Sequence, residues 1–214
     1  MRWEQAGPRV ESPEIGVDDA RIAELLEGAD KLGVDVPLGW PIPFAETVHA
    51  HRHRREVPAH RLHQLRFRAT DFAVHHRTGR WPLSVSSDLI GVPALRAARL
   101  FAGRDRSGGD VLVEVYPAAA LRIWGFSTRG YKGPRGGAPR QTILSALAAT
   151  LDLSEEARST CARSDHALDA LISALVARCA ALGLCDPVPS EERAAAEVEG
   201  WIALPRADAL ALLL

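Results

Sequence analysis

The chain has 214 residues, 47% of them hydrophobic, and a formal net charge of −1. This length and composition predict one domain with a substantial core, and the near-neutral charge excludes attraction of nucleic acid by an overall basic field. No apolar run reaches the roughly 18 residues of a membrane span, no signal-peptide pattern is present, and three cysteines without a CxxC pair favour a reducing cytoplasm.

The first part of the chain predicts strand fragments, then a helix, then a buried strand. Residues 2–4 and 8–11 are strand fragments around a turn, and a helix capped by Asp18 or Asp19 runs to about residue 27. Residues 31–36 are apolar on both sides of the pleat, as in a strand buried on both faces.

The middle and the end of the chain are predicted to be mainly helical. The helix over residues 86–104 is expected to bury Leu89, Leu95, Leu100 and Phe101, and Pro93 either kinks it or marks its true start. The glycine- and proline-rich residues 127–139 are expected to form an exposed loop. The predicted helices are 44–54, 70–78, 86–104, 117–124, 141–151, 155–162 and 165–182, and the further predicted strands are 112–116 and 201–204. This order is typical of an α/β domain with a parallel sheet portion.

Four acids are placed where separate elements could meet. Asp35 and Glu114 lie toward the ends of two predicted parallel strands, and such ends share one edge of a sheet. Asp165 and Asp169 lie one helical turn apart beside an apolar stripe, so both are expected to face inward. The alternative roles are structural: Asp35 as a turn former, Asp165 at the positive end of a helix dipole, and Asp169 as a cap for a neighbouring segment.

Acids that converge in this way suit phosphodiester hydrolysis by divalent cations. The two-metal mechanism needs carboxylates from separate elements around ions that lie roughly 4 Å apart. Asp35, Asp165 and Asp169 are the predicted ligands of Mg²⁺ or Mn²⁺. Glu114 is a further candidate, as a ligand or as a residue that supports one.

Seven short motifs run in order along most of residues 2–204, and together they resemble a bacterial family of predicted nucleases with an RNase H-like fold, long classed as a domain of unknown function. The motifs are Gly33-Val-Asp-Val-Pro-Leu-Gly-Trp-Pro41, Phe67-Arg-Ala-Thr-Asp71, Pro82-Leu-Ser-Val-Ser86, Glu114-Val-Tyr-Pro117, Tyr131-Lys132, Asp165 with Asp169-Ala-Leu171, and Glu199-Gly-Trp-Ile202. The activity of that family is itself inferred largely from its fold.

The resemblance implies an α/β fold with an RNase H-like mixed sheet flanked by helices. Members of the family begin with a central strand whose Gly-x-Asp motif supplies the first metal-binding acid, and that strand lies between the hairpin and the strand of Asp35. Here the sequence at Met1 resembles the end of the second strand, so the first strand is expected to be lacking. Either the true start lies upstream of Met1, or the protein is catalytically impaired.

An arginine- and histidine-rich segment is a candidate contact for nucleic acid. Residues 49–80 hold eight Arg, two acids and seven of the eight His, a local net charge of +6. The arginines could lie along phosphates, whereas few aromatic residues interleave with them, so base stacking is not indicated. A solvated surface is the alternative, and a zinc site at His49, His51 and His53 is disfavoured by their spacing.

Four further residues are predicted to bind substrate. Arg68 and Asp71 are one helical turn apart, either as a structural salt bridge or as an arginine held in place to orient substrate. Tyr131 and Lys132 lie on the glycine-rich loop, which either reaches a phosphate or is simply exposed. Glu199, before Gly200, is interpreted as a turn former rather than as a further acid of the site.

These observations predict a single RNase H-like domain over residues 1–204, with a helical or loop insertion at about 44–80 and a docking tail at 205–214. The predicted function is a cytoplasmic, metal-dependent nuclease. The alternatives are a truncated or degenerate member that binds nucleic acid or protein without catalysis, and an inactive protein in which the acids are caps.

Overall fold

The structure, a computed structural model, describes residues 1–4, 7–149 and 151–213. This part of the chain is mixed α/β, which confirms the predicted class. Its strands are Arg2–Glu4 (β1), Gly7–Val10 (β2), Leu32–Val34 (β3), Leu112–Glu114 (β4) and Asp152–Leu153 (β5). Its α-helices are Asp19–Gly28 (α1), Ile42–Arg52 (α2), Leu62–Arg66 (α3), Ala69–Thr78 (α4), Gly91–Leu100 (α5), Pro117–Ile123 (α6), Gly137–Leu147 (α7), Glu155–Arg163 (α8), Asp165–Ala181 (α9) and Arg193–Glu199 (α10).

Within the described residues, the strands form two small sheets rather than one continuous sheet. In the first sheet, β1 pairs with β2 in antiparallel orientation and β5 pairs with β2 in parallel. In the second, β3 and β4 are parallel, with Val34 opposite Glu114. Ile202 adds an isolated parallel bridge to Glu114, where the sequence predicts a short edge strand.

Helix α9 is the centre of the largest core cluster. Ser164 caps it by accepting a hydrogen bond from the backbone N–H of Ala167 at 3.3 Å. The predicted apolar stripe is confirmed as buried, with Leu168, Ile172 and Leu175 at 0% exposure. Leu182, at the end of the predicted stripe, is instead 44% exposed, because the helix ends one residue before it.

A glycine lets α9 lie directly on β3. A Cβ atom at Gly33 would be 2.9 Å from the carbonyl carbon of Ser173 on α9, and closer still to its oxygen. Only a residue without a side chain permits this approach of helix to strand. The contact fixes α9, and with it Asp165 and Asp169, against the strand that precedes Asp35.

The predicted helix over residues 86–104 was wrong at both ends, because α5 also ends at Leu100. Helix α5 begins at Gly91, and Leu89 and Leu95 are 93% and 64% exposed, while Phe101 is buried as expected. Pro93 explains the late start, because proline lacks an N–H and is tolerated only in the first turn of a helix.

The predicted insertion and tail both contact the rest of the fold. Helix α4 packs against α6 and α10, and α2 also contacts α10. In the tail, residues 209–212 form a 3-10 turn against α9, and Ala209 and Leu213 are buried in the main core cluster. In the described part of the chain, no helix combines the length and the apolar character that crossing a bilayer requires.

Candidate functional site

The candidate site lies at the carboxyl ends of β3 and β4, beside the first turns of α9. Asp35 follows β3 directly, and Tyr116 follows β4 and precedes α6. Since the two strands are parallel and in register, their ends lie at one edge of the sheet. Asp169 approaches from α9, and residues 131–133 approach from the loop before α7.

Asp169 is buried, and both of its carboxylate oxygens have partners. The hydroxyl of Tyr131 donates a hydrogen bond to Oδ1 at 3.1 Å, and the ammonium of Lys132 pairs with Oδ2. Burial raises the pKa of Asp169, and the bond with Lys132 opposes that rise. Because the Lys132 side chain is still 51% exposed, this ion pair lies at the boundary between the interior and solvent.

Asp165 holds the same loop by its backbone. Its Oδ2 accepts a hydrogen bond from the N–H of Gly133 at 2.9 Å, and this bond is the main reason why the pKa of Asp165 is lowered. Asp165 is therefore a stable carboxylate with one oxygen committed to the loop.

Arg140, on α7, fixes the loop from the interior. The guanidinium donates to the carbonyls of Tyr131 at 2.6 Å and Gly133 at 2.9 Å, and to those of Ala162 at 2.8 Å and Arg163 at 3.3 Å at the end of α8. Arg140 is only 1% exposed. It ties the loop to the junction of α8 and α9, from which Asp165 and Asp169 project.

The Asp35 side chain reaches the surface, although protein atoms surround much of its carboxyl group. Burial by the surrounding protein atoms raises its pKa to about 6, and the negative charge of Asp169 adds to the rise. The charge of Lys132 opposes the rise. Asp35, Asp169 and Lys132 are therefore close enough to one another for their charges to interact.

The predicted three-acid set is only partly assembled. Within residues 1–4, 7–149 and 151–213, no group of three or more His, Cys, Asp or Glu side chains is arranged to hold a metal ion, and this also applies to His49, His51 and His53. Asp35 and Asp169 interact, whereas the Oδ2 of Asp165 is bound to the loop. A cation at this edge would take part of its ligands from water or substrate.

Glu114 lies in the interior, in a network with Arg68 and Asp71. The two Arg68 amino groups donate to Glu114 at 2.8 and 2.9 Å, and the guanidinium also donates to Asp71 at 3.1 and 3.3 Å. The predicted Arg68–Asp71 pair is thus confirmed. Arg68 and Asp71 are 2% and 0% exposed, so as folded they hold Glu114, and their contact with substrate stays a prediction.

The Glu114 network also positions the segment after Asp35. Glu114 Oε2 accepts a hydrogen bond from the N–H of Leu38 at 2.9 Å. Arg68 donates in addition to the carbonyl of Glu199 at 3.1 Å. These bonds connect β4, α4 and the end of α10 to the chain that leaves Asp35.

Glu199 has a role that the sequence did not indicate. Gly200 adopts a positive φ of 84°, as a turn requires, but the Glu199 carboxylate is itself buried. It accepts hydrogen bonds from the N–H of Ile42 at 2.7 Å and of Ala69 at 2.8 Å, which are the first residues of α2 and α4. One carboxylate therefore caps two helices.

Two further residues of the site were not predicted, although each leaves a trace in the sequence. Tyr116 lies two residues after β4 and directly before Pro117, and the charge of Asp35 contributes to its raised pKa, after the larger effect of burial. Arg140 shares the helical spacing of the buried residues Ile143, Leu144 and Leu147. An arginine on an apolar stripe indicates a buried cation that needs acceptors.

Comparison with known proteins identifies the family of the chain. Residues 16–194 match the family described as "Protein of unknown function (DUF429)". No curated protein and no solved structure shows significant similarity to the chain. Because the match extends over most of the 214 residues, the chain belongs to the DUF429 family.

Proposed function

We propose that the protein is a metal-dependent nuclease of the RNase H-like type, which hydrolyses phosphodiester bonds of nucleic acid. The observation that carries the proposal is the packing of α9 on β3, which puts Asp169 within electrostatic range of Asp35 at one edge of the β3–β4 sheet. Two carboxylates from separate elements, with a lysine beside them, supply charges of both signs where a phosphodiester and its counterion would bind.

The chemistry of two carboxylates supports the choice of a small divalent cation. Asp35 and Asp169 repel each other, and the raised pKa of Asp35 reflects that repulsion in addition to burial. Mg²⁺ commonly uses one or two protein carboxylates and completes its shell with water and substrate phosphates. Asp35 and Asp169 would therefore hold Mg²⁺ or Mn²⁺, and Asp165 lies close by on the same helix. Such an ion polarises a phosphoryl oxygen and makes a bound water more acidic.

The remaining residues orient the substrate and the acids. Lys132 is half-exposed and neutralises Asp169, so it is available to a phosphate once a cation satisfies that carboxylate. The Tyr131 hydroxyl keeps Asp169 in place through Oδ1. Glu114, held by Arg68, fixes the backbone at Leu38 and thereby the direction in which the chain leaves Asp35.

The arrangement of strands supports the RNase H-like part of the proposal. An antiparallel hairpin, β1–β2, and two parallel strands, β3 and β4, are elements that the resemblance implies. Among the described residues, the hairpin sheet and the β3–β4 sheet are not paired with each other. The resemblance implies that a first central strand would lie between these two parts.

A non-enzymatic binding protein is the second candidate, and the ion pairs favour it. Lys132 already satisfies Asp169, and Arg68 already satisfies Glu114, so neither acid needs a metal to be stable in the fold. In that case the same edge would bind the backbone of a nucleic acid or a protein partner without cutting it.

Calorimetric titration with Mn²⁺ tests the site. We expect the wild-type protein to release heat on binding Mn²⁺, and Asp35→Asn and Asp169→Asn to lose that heat. The control is Asp30→Asn, which changes an exposed acid just after α1 and should bind as the wild type does. Circular dichroism would show that the variants are folded. Unchanged Mn²⁺ binding in both site variants would refute the proposed metal site.

Cleavage of labelled DNA and RNA oligonucleotides in Mg²⁺ or Mn²⁺ then separates the two candidates. Cutting that Asp35→Asn abolishes supports the nuclease. Binding of metal and oligonucleotide without any cutting supports the binding protein.

A further inference from the structure

Three aromatic residues that are separated in the sequence form one cluster next to the arginines of residues 49–80. Trp81 stacks on Phe67, with ring centroids 4.4 Å apart and planes 27° apart, and on His75, at 4.1 Å and 15°. Phe72 meets Phe67 and Trp81 edge to face, at 6.4 and 5.1 Å. The sequence did not indicate base stacking, because these rings are brought together only by the fold.

The cluster is accessible and borders a hollow. Phe72 and Trp81 are 39% and 41% exposed, which is high for rings that already pack on one another. Phe67 and Phe72 line a shallow hollow of about 330 Å³, which Gln64 and Glu192 also line. Among the described rings, Phe72 makes only edge-to-face contacts, with His63, Phe67 and Trp81, so no ring is stacked on its face.

One arginine lies against the cluster, and two more lie near it in the sequence. The guanidinium carbon of Arg66 lies 5.0 Å from the centre of the Phe67 ring. Arg61 and Arg80 are exposed on either side of the cluster in sequence. Exposed aromatic faces with arginines beside them bind single strands of nucleic acid, whose bases stack on the rings while the phosphates meet the cations.

The cluster is connected to the Asp35 edge through α4 and α6. Helix α4 packs against α6, and Arg122 near the end of α6 donates to the carbonyl of Thr78 at the end of α4. Burial raises the pKa of Tyr116, and the charge of Arg80 is among those that oppose the rise. Arg80, which precedes Trp81, therefore lies within electrostatic range of Tyr116, the residue before α6.

We propose that Phe72, held edge to face by Phe67 and Trp81, is a stacking platform for the bases of single-stranded nucleic acid, with Arg66 and Arg80 as its phosphate contacts. The inference rests on the proposed function in that it names the form of nucleic acid that the same protein would act on. In a duplex the bases stay stacked on one another, so few base faces are accessible to an aromatic side chain. Aromatic rings with arginines suit bases better than they suit the aliphatic side chains of a peptide.

Fluorescence anisotropy in EDTA tests the platform separately from metal binding and cleavage. The probes are a labelled single-stranded oligonucleotide of about 12 nucleotides and its duplex. We expect the single strand to bind more tightly than the duplex. Phe72→Leu, which keeps apolar bulk but removes the ring, should weaken single-strand binding about tenfold. Leu89→Ala, at another exposed apolar side chain, should bind as the wild type does.

A second pair of variants tests the phosphate contacts. Arg80→Gln should weaken binding and make it less dependent on salt, whereas Arg104→Gln, the same change of charge on another exposed arginine, should do neither. Equal binding of duplex and single strand, wild-type binding by Phe72→Leu, or no oligonucleotide binding at all would each overturn the platform. Loss of Mn²⁺ binding or of cleavage with single-strand binding intact would count against the nuclease alone.

Discussion

Replacing Arg68 by methionine tests whether the buried network holds the site together. The guanidinium is 2% exposed and is hydrogen-bonded to two carboxylates, those of Glu114 and Asp71, at 2.8 to 3.3 Å. Methionine fills much of the same space but leaves both buried carboxylates without a cation. Breaking a buried ion pair in this way costs about 3–5 kcal/mol, so Arg68→Met should lower the free energy of unfolding by about that amount.

Urea unfolding near neutral pH measures this loss, and a surface arginine provides the control. Arg96 pairs with Asp19 at 2.6 Å, but the two side chains are 54% and 37% exposed. Arg96→Met should therefore cost less than about 1 kcal/mol. The loss in Arg68→Met should shrink toward acid pH, since burial already raises the pKa of Glu114 and a proton then replaces the missing charge. Equal losses in the two variants would refute the reasoning.

Two further substitutions test the pKa of Asp35 and the contact between α9 and β3. The pKa of Asp35 in the folded protein, about 6, lies above its ordinary value of 3.8, so its stabilising contribution is present below pH 4 and is lost as the pH rises through 6. Urea unfolding in EDTA should show Asp35→Asn to be more stable than the wild type at about pH 8 and no more stable at about pH 4. The gain at pH 8 should be only roughly 1 kcal/mol, because water screens this exposed side chain. A difference in stability that stays constant with pH would contradict this. Gly33→Ala should lower the free energy of unfolding by about 1–3 kcal/mol, because the added methyl group forces α9 away from β3. Gly28→Ala, where a Cβ atom meets nothing within 4 Å, should unfold at the same urea concentration as the wild type.

The sequence predicted those elements whose residues repeat at regular spacing. Helix α9 was found almost in full because Leu168, Ile172 and Leu175 recur at helical intervals. Strands β3 and β4 were found because each lies in a short and mainly apolar run, although β4 ends in Glu114. The start of α5 at residue 86 was too early because Leu89 was counted with the apolar stripe, and the alternative start at Pro93 was closer to the observed Gly91.

The candidate site was predictable where an acid follows a strand or begins a helix, and not where distant segments meet. Asp35, Asp165 and Asp169 could be chosen from their local positions. The role of Glu199 could not, because its carboxylate caps residues 157 and 130 positions away in the chain. The aromatic cluster was missed for the same reason: Trp81 joins Phe67 and Phe72 only after α4 has brought the chain back.

The four bonds from Arg140 determine how much freedom the loop before α7 retains. Its glycines would let an isolated loop sample many conformations, and a ligand would then lose binding energy in selecting one of them. Arg140 binds the carbonyls of Tyr131 and Gly133, on either side of Lys132. The backbone is therefore already ordered before anything binds, and the lysine side chain is the part left to adjust.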